Sequence, residues 1–84
     1  MNGRYEVTFS KEFVKRMRKH SKKEQIMILR KVRGLESDPY EGKPLRGALV
    51  GLYSLRQGEY RVICTISKNK ISVITVGHRS LIYE

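Results

Sequence analysis

The feature that most constrains the fold of this chain is a succession of three strand-like runs in its second half. Residues 49–56, 59–67 and 71–76 are rich in β-branched, aromatic and other apolar side chains. The runs are separated only by Gln57-Gly58 and by Lys68-Asn69-Lys70. Connections this short join antiparallel neighbours, whereas parallel strands need a crossover of about a dozen residues or more. The pattern therefore predicts an antiparallel three-stranded meander.

The first half of the sequence predicts one strand followed by two helices. Residues 4–9 alternate in character, with Tyr5, Val7 and Phe9 on the apolar side, which is the period of a half-buried strand. A serine that can act as an N-cap begins each helix. Ser10 precedes a short basic helix, and Ser21 precedes a second helix with Glu24 at the spacing of a capping box.

Length and element order together predict the fold class. The chain has 84 residues, which is room for a single core. We expect one α+β domain over residues 1–84 with the order β-α-α-β-β-β. The two N-terminal helices pack on one face of a small, mainly antiparallel four-stranded sheet, and the first strand lies along the meander. No run reaches the ~18 apolar residues of a membrane span, and the N-terminus has no apolar signal stretch, so we expect a cytoplasmic protein.

The charge of the chain points to a polyanionic partner. Lys and Arg number 18 against 8 Asp and Glu, which gives a formal net charge of +10. Neutralising phosphates with these cations releases counterions and gives strong, salt-dependent attraction to nucleic acid. There are two alternatives. The partner could be an acidic protein, or the excess lysine could merely keep a small protein soluble.

The sequence lacks the usual ligands for a metal or a nucleotide. Neither His20 nor His78 has a second histidine or a carboxylate at ligand spacing, and no glycine-rich phosphate loop precedes a helix. The lone Cys64 can form neither an internal disulfide nor a structural zinc site, and we expect it to be a small buried hydrophobe. We therefore expect chemistry without a metal or a cofactor.

Alternation along the predicted strands brings several cations together. Arg61 should point away from the core side of its strand, towards the helix-free face, and Arg56 should lie across one hairpin turn from it. His78 and Arg79 follow the last strand, which we expect to end near the other end of the sheet. With Arg46, these side chains would form a concave basic surface.

Such a surface is suited to cleaving RNA with the 2′-hydroxyl of the RNA as nucleophile. A guanidinium stays charged and can bind two phosphate oxygens as negative charge accumulates on them. Proton transfer would fall to His78, with a reference pKa of ~6.5, or to Tyr83, with a reference pKa of ~10. Tyr53 or Tyr83 could instead stack on a base. The alternatives are a solvated Arg61 or one paired with Glu59, and tyrosines that only pack.

A second set of cations lies on the first helix and at the start of the second. Its side chains would contact backbone phosphates rather than bases, and a solvated helix face is the alternative. The residues are Lys15, Arg18, Lys19, Lys22 and Lys23.

Four short motifs follow one another along the chain. They are Pro44-Leu45-Arg46-Gly47, Leu52-Tyr53-Ser54-Leu55-Arg56, Gly58-Glu59-Tyr60-Arg61-Val62-Ile63, and Val76-Gly77-His78-Arg79 with Tyr83. In this order they resemble the RelE/ParE toxin superfamily, and the RelE branch in particular. The resemblance covers nearly the whole chain, because the predicted β-α-α-β-β-β order is also that of the superfamily.

The resemblance implies a toxin of a type II toxin–antitoxin pair that cleaves messenger RNA, typically in the ribosomal A site, without a metal. It implies that Arg61 and Arg79 stabilise the phosphate, that Arg56 is a further basic residue of the site, and that Tyr83 takes part in proton transfer. Tyr83 lies closer to Arg79 here than in a well-known relative, so His78 could share or replace its role.

The resemblance also implies positions and partners beyond the catalytic set. Ser54 stands where that relative has a lysine, and we group it with Arg46 as an RNA- or ribosome-binding position. A cognate acidic, RelB-like antitoxin would block the basic surface or displace the C-terminal segment. Two alternatives remain open at this point, namely a ParE-like inhibitor of DNA gyrase that cuts nothing and an inactive nucleic-acid-binding relic.

Overall fold

The computed structural model describes residues 5–82, in which two helices pack on one face of a five-stranded sheet. The strands are β1 Glu6–Phe9, β2 Lys43–Pro44, β3 Leu52–Gln57, β4 Tyr60–Ser67 and β5 Lys70–His78. The helices are α1 Lys11–Met17 and α2 Lys22–Arg33, and two 3₁₀ turns lie at Gly34–Glu36 and Gly47–Leu49. The predicted α+β class and the placement of both helices are therefore confirmed.

The sheet has the strand order β1-β5-β4-β3-β2. The pair β1–β5 is parallel, and every other pair is antiparallel. The meander of β3, β4 and β5 is confirmed, and its tight turns contain two residues with positive φ, Gly58 at 59° and Lys68 at 55°. Glycine adopts that backbone conformation without steric cost, which suits residue 58 to a hairpin turn.

The prediction of four strands was incomplete because β2 is too short to leave a pattern. Lys43 pairs with Ser54 and Pro44 pairs with Tyr53, at the edge of the sheet. A proline is tolerated there because an edge strand has one row of backbone groups without a strand neighbour. The surrounding segment is rich in turn residues, so its sequence predicts a connection and not a strand.

Both helix starts follow from local chemistry. The Phe13 N–H donates to Ser10 Oγ at 3.0 Å. At the second helix the Glu24 N–H donates to Ser21 Oγ at 3.2 Å, and the Ser21 N–H donates to Glu24 Oε1 at 3.3 Å, which completes the predicted capping box. These bonds satisfy donors that no preceding turn of helix can pair. None of the described helices is long and apolar enough to cross a membrane.

The core lies between the helices and one face of the sheet. Its buried side chains come from both layers: Phe13, Met17, Ile28, Val32, Leu35, Leu55, Val62, Cys64, Ile71, Val73 and Val76. Burial raises the pKa of the Cys64 thiol to about 11, so this side chain stays protonated and acts in packing. Val62 and Cys64 of β4 face this core, opposite to the predicted direction of Arg61, and among residues 5–82 no α-helix packs on the other face of the sheet.

One residue of the first strand departs from its predicted burial. Tyr5 and Val7 pack against the core as expected, but Phe9 is 45% exposed. Its ring stacks on Phe13 with the centroids 5.4 Å apart. Phe9 is the last residue of β1, so its ring covers the edge of the core without entering it.

Candidate functional site

The hairpin turn between β3 and β4 holds two arginines. Arg61 is only 4% exposed, and its Nη1 donates to the carbonyl oxygens of Gly58 at 3.1 Å and Tyr60 at 2.9 Å. The Arg79 N–H donates to the carbonyl oxygen of Glu59 at 2.8 Å, and Arg79 Nε lies 2.8 Å from Glu59 Oε1. Three successive carbonyls of one turn therefore bind both arginines on which the predicted chemistry depends.

The position of Arg79 corrects one expectation. We expected β5 to end at the other end of the sheet from the hairpin turn, but His78 pairs with Tyr60, the first residue of β4. Antiparallel pairing brings the end of β5 beside the start of β4. Arg79 therefore lies at the same end of the sheet as Arg61.

The helix-free face beside this turn carries a small cationic pocket. Arg56 pairs with Arg61 across the turn, as predicted. Both line a pocket of about 180 Å³ together with Lys43, Ser54 and Glu41. Like charges directly opposite each other on a sheet repel, so an anion bound between them would be stabilised.

Ser54 adds a hydrogen-bonding group to the pocket. Its side chain is buried, and among residues 5–82 its hydroxyl has no hydrogen-bond partner. A buried hydroxyl without a partner costs free energy, which a ligand oxygen could recover by bonding to it. Ser54 thus places a neutral hydrogen-bond donor and acceptor beside the two arginines.

A second cluster of polar rings lies on the helix side of the sheet. Tyr60 makes edge contacts with His20, at a centroid distance of 4.4 Å, and with His78, at 6.0 Å. Its hydroxyl donates to Glu24 Oε2 at 3.4 Å. His78 therefore lies on the face opposite to Arg61, because neighbouring side chains of a strand point to opposite faces. Arg61 and His78 therefore do not share the concave surface that the sequence predicted. They lie on opposite faces at the same end of the sheet.

The hydrogen bonds of His78 fix the position of its proton. The Ser80 N–H donates to His78 Nδ1 at 3.1 Å, and Ser80 Oγ lies 2.8 Å from the same nitrogen. A nitrogen that accepts an N–H bond must carry a lone pair, so the neutral ring holds its proton on Nε2. Nε2 lies 3.9 Å from Glu59 Oε1. In this tautomer His78 Nε2–H is a hydrogen-bond donor.

Tyr60 is expected to ionise at a higher pH than an ordinary tyrosine. Desolvation raises its pKa most, and the charge and hydrogen bond of Glu24 raise it further. Because the folded pKa lies above the unfolded one, this contribution to stability is present below the unfolded pKa and is lost as the pH rises through the folded pKa. Titration of tyrosinate absorbance, with Tyr60→Phe to assign the signal, measures the shift, and Glu24→Gln should reduce it. An ordinary tyrosine titration would contradict the contact.

The remaining predicted RNA-binding cations do not line the cationic pocket of the helix-free face. All are exposed to solvent: Lys15, Arg18, Lys19, Lys22, Lys23 and Arg46. Lys15 and Lys19 line a groove of about 610 Å³ beside Gly77. The groove follows the part of β5 that extends past its pairing with β1, which ends at Val73. Arg16, which is not among the predicted binding residues, also lines this groove, where its Nε lies 3.4 Å from Glu12 Oε2.

The two tyrosines predicted as stacking or proton-transfer groups have different outcomes. Tyr53 lies on the core side of β3, partly buried, with its ring 5.9 Å from that of Tyr40. Tyr83 lies outside the described residues. Glu59, which the sequence suggested only as a partner of Arg61, contacts Arg79 with its carboxylate. The sign in the sequence was an acidic residue within the predicted hairpin turn, directly before Tyr60.

Comparison with known proteins gives a consistent result. The model of the family described as ParE toxin of type II toxin–antitoxin system, parDE, matches residues 7–83. A curated relative, toxin RelE of Mycobacterium tuberculosis, is 42% identical over 45 residues, which are 51% of this chain and 46% of the relative. That match therefore spans about half the length of the relative.

Solved structures show the same fold. The toxin–antitoxin complex RelBE2 of Mycobacterium tuberculosis contains a chain that is 28% identical with a TM-score of 0.84, over 90% of this chain and 99% of that one. The archaeal RelE–RelB complex of Pyrococcus horikoshii gives 26% identity and a TM-score of 0.76, over 93% and 98%. A chain of the chromosomal ParDE system of P. aeruginosa shares the fold at 9% identity, with a TM-score of 0.72 over 92% and 98%.

Proposed function

This chain belongs to the ParE toxin family of type II toxin–antitoxin systems, and we propose that it is a metal-independent endoribonuclease that cleaves messenger RNA. The observation that carries the proposal is the turn at residues 58–60. Its carbonyls bind Arg61 and Arg79 at one end of the sheet, beside the pocket lined by Arg56 and Ser54. Positive charge is thereby concentrated where a phosphodiester could bind.

The RNA itself supplies the nucleophile in the proposed reaction. The 2′-oxygen attacks the adjacent phosphorus and loses its proton, the bond from phosphorus to the 5′-oxygen breaks, and that oxygen gains a proton. The products are a 2′,3′-cyclic phosphate and a 5′-hydroxyl. Negative charge accumulates on the phosphoryl oxygens in the transition state, and fixed guanidinium groups stabilise it there more than in the substrate. Arg79 and Arg61 have this role.

Proton transfer is assigned to His78, at the same end of the sheet as the arginines, or to Tyr83. The imidazolium form of His78 can protonate the leaving 5′-oxygen from Nε2 as a general acid, while its second N–H, on Nδ1, donates to Ser80 Oγ. Tyr83 remains the second candidate for proton transfer. Tyr60 is unsuited to act as a base, because its raised pKa keeps its hydroxyl protonated at neutral pH.

The exposed cations would bind the rest of the RNA. The groove lined by Lys15 and Lys19 can hold the phosphate backbone of the message or of ribosomal RNA, with affinity that falls as salt rises. We further propose that the message is cut in the ribosomal A site, and hence in the cytoplasm. A cognate acidic, RelB-like antitoxin is the expected protein partner, since two of the structural neighbours are toxins in complex with their antitoxins.

Induced expression followed by mapping of message ends tests the proposal. We expect growth arrest, with cuts inside messages that leave 5′-hydroxyl and 2′,3′-cyclic phosphate ends. A nuclease that uses metal-activated water leaves different ends, so the end chemistry tests the mechanism as well as the cleavage. Internal cuts with 5′-phosphate ends would contradict the mechanism, and growth arrest with intact messages would contradict the activity.

The family also includes toxins of parDE systems, and inhibition of DNA gyrase by binding is therefore the second candidate function. It predicts arrest with intact messages and inhibited supercoiling by purified gyrase. Binding of RNA without either effect would favour an inactive relic.

A further inference from the structure

We propose that Glu59 is a positioning residue that orients the guanidinium of Arg79 towards the scissile phosphate. The inference rests on the proposed function, because it assigns Glu59 a role in that reaction. Glu59 itself contacts no substrate in this assignment. It acts through Arg79, and its contribution should therefore depend on the chemistry of the arginine side chain.

The contact uses only one edge of the guanidinium. Glu59 Oε1 lies 2.8 Å from Arg79 Nε, and among residues 5–82 this carboxylate is the one ion-pair partner of Arg79. A guanidinium has five N–H donors in a planar fork, and four of them are on the two Nη atoms. A carboxylate at Nε fixes the plane of the group and leaves the Nη donors for the two oxygens of a phosphate.

The backbone makes this contact more ordered than an ordinary surface ion pair. The Arg79 N–H donates to the Glu59 carbonyl oxygen at 2.8 Å, so the two residues are joined by their main chains as well as by their side chains. Two long side chains on unconnected segments lose much conformational freedom when they pair. Here the hydrogen bond between the main chains already fixes the backbone positions from which the two side chains extend. The flanking carbonyls of Gly58 and Tyr60 hold Arg61. One turn therefore sets the relative position of both arginines.

A competing interpretation is that Glu59 occupies the phosphate site of Arg79 and must be displaced by RNA. The two interpretations predict opposite effects of removing the carboxylate. If Glu59 competes with phosphate, its removal increases RNA affinity and cleavage. If Glu59 positions Arg79, its removal lowers kcat, because the guanidinium is then free to turn away from the reacting phosphate.

Variants of Glu59 should report on catalysis and not on stability, because the ion pair between Glu59 and Arg79 contributes little to the free energy of folding. The side chains of Glu59 and Arg79 are 64% and 60% exposed, and exposed ion pairs contribute little to stability. Glu59→Ala should therefore fold normally. Glu6→Ala is the matched control, since it removes the same charge from an exposed strand residue that pairs with Lys70, at the opposite end of β5 from His78.

The kinetic test compares Glu59→Ala and Glu59→Gln with the wild-type protein on ribosome-bound message. We expect Glu59→Ala to lower kcat by about 10- to 100-fold with KM nearly unchanged, as for a misplaced catalytic group. Glu59→Gln should restore most of the activity, because its side-chain carbonyl can still accept the Nε–H bond. Glu6→Ala should match the wild type. Unchanged or increased cleavage by Glu59→Ala would overturn the inference.

Repeating Glu59→Ala in an Arg79→Lys variant tests whether the effect depends on the Nε–H group of Arg79. Lysine has no Nε–H of the guanidinium type, so in Arg79→Lys the further change Glu59→Ala should have no effect. Additive losses in the double variant would contradict a role through Arg79.

A spectroscopic readout keeps the inference separate from the proposed function. The Nε–H resonance of Arg79, assigned with Arg79→Lys, should shift in Glu59→Ala and stay close to its wild-type position in Glu59→Gln. If the wild-type protein cuts no message, the proposed function fails while this resonance still reports the contact. If the wild type cuts and the resonance does not respond to Glu59→Ala, the positioning role is wrong.

Discussion

Replacing Arg79 with alanine is expected to lower the rate of message cleavage by about 10²- to 10³-fold, the effect of removing one donor that stabilises transition-state charge. The side chain is 60% exposed, and it makes its ion pair with an exposed carboxylate. Its loss should therefore leave the folding free energy almost unchanged. Cleavage under single-turnover conditions and urea unfolding of the same preparation give the two quantities.

The control separates charge from geometry. Arg79→Lys keeps the positive charge but loses the planar fork, and it should recover only part of the lost rate because a lysine cannot bind two phosphate oxygens at once. Arg61→Ala should lower cleavage as well, but its side chain is buried and bound to two carbonyls of the turn, so it should also destabilise the fold. Wild-type cleavage by Arg79→Ala would remove the proposed site.

The elements that could be predicted from sequence are those whose signals are local. Ser10 and Ser21 cap the helices within three residues of their partners, and the β3–β4 turn joins neighbours in the chain. Strand alternation likewise placed Arg56 opposite Arg61. Such features depend on backbone geometry within a few residues, which the sequence specifies directly.

The elements that escaped prediction depend on contacts between distant segments. The pairing of His78 with Tyr60 put Arg79 beside the hairpin turn, and this register is set by the packing of the whole sheet. The contact of Glu59 with Arg79 exists only because of that register. The short β2 strand similarly needs β3 as its template. The site is therefore assembled by tertiary structure, while its cationic residue types are evident in the sequence.

The second large effect is expected in the core, where Phe13→Ala should lower the free energy of unfolding by about 3–5 kcal/mol. Phe13 is completely buried in the core cluster, and α1 has only seven residues. A helix that short is not stable alone, so its packing must hold it against the sheet. Domains are typically stable by about 5–15 kcal/mol, and this one change should remove a large part of that. Urea unfolding followed by circular dichroism measures the loss.

Phe9→Ala is the matched control, because it removes the same ring from the same stack. Phe9 is 45% exposed and lies 5.4 Å from the Phe13 ring, so its loss should cost less than that of Phe13, namely about 0.5–1.5 kcal/mol for the aromatic contact together with the burial of the covered part of the ring. Equal losses for the two variants would contradict the assignment of Phe13 as the anchor of α1. Because α1 carries Lys15 and Lys19 follows its C-terminal end, the same anchor positions the groove beside β5. Partial unfolding of α1 should therefore weaken RNA binding before it affects the turn that holds Arg61 and Arg79.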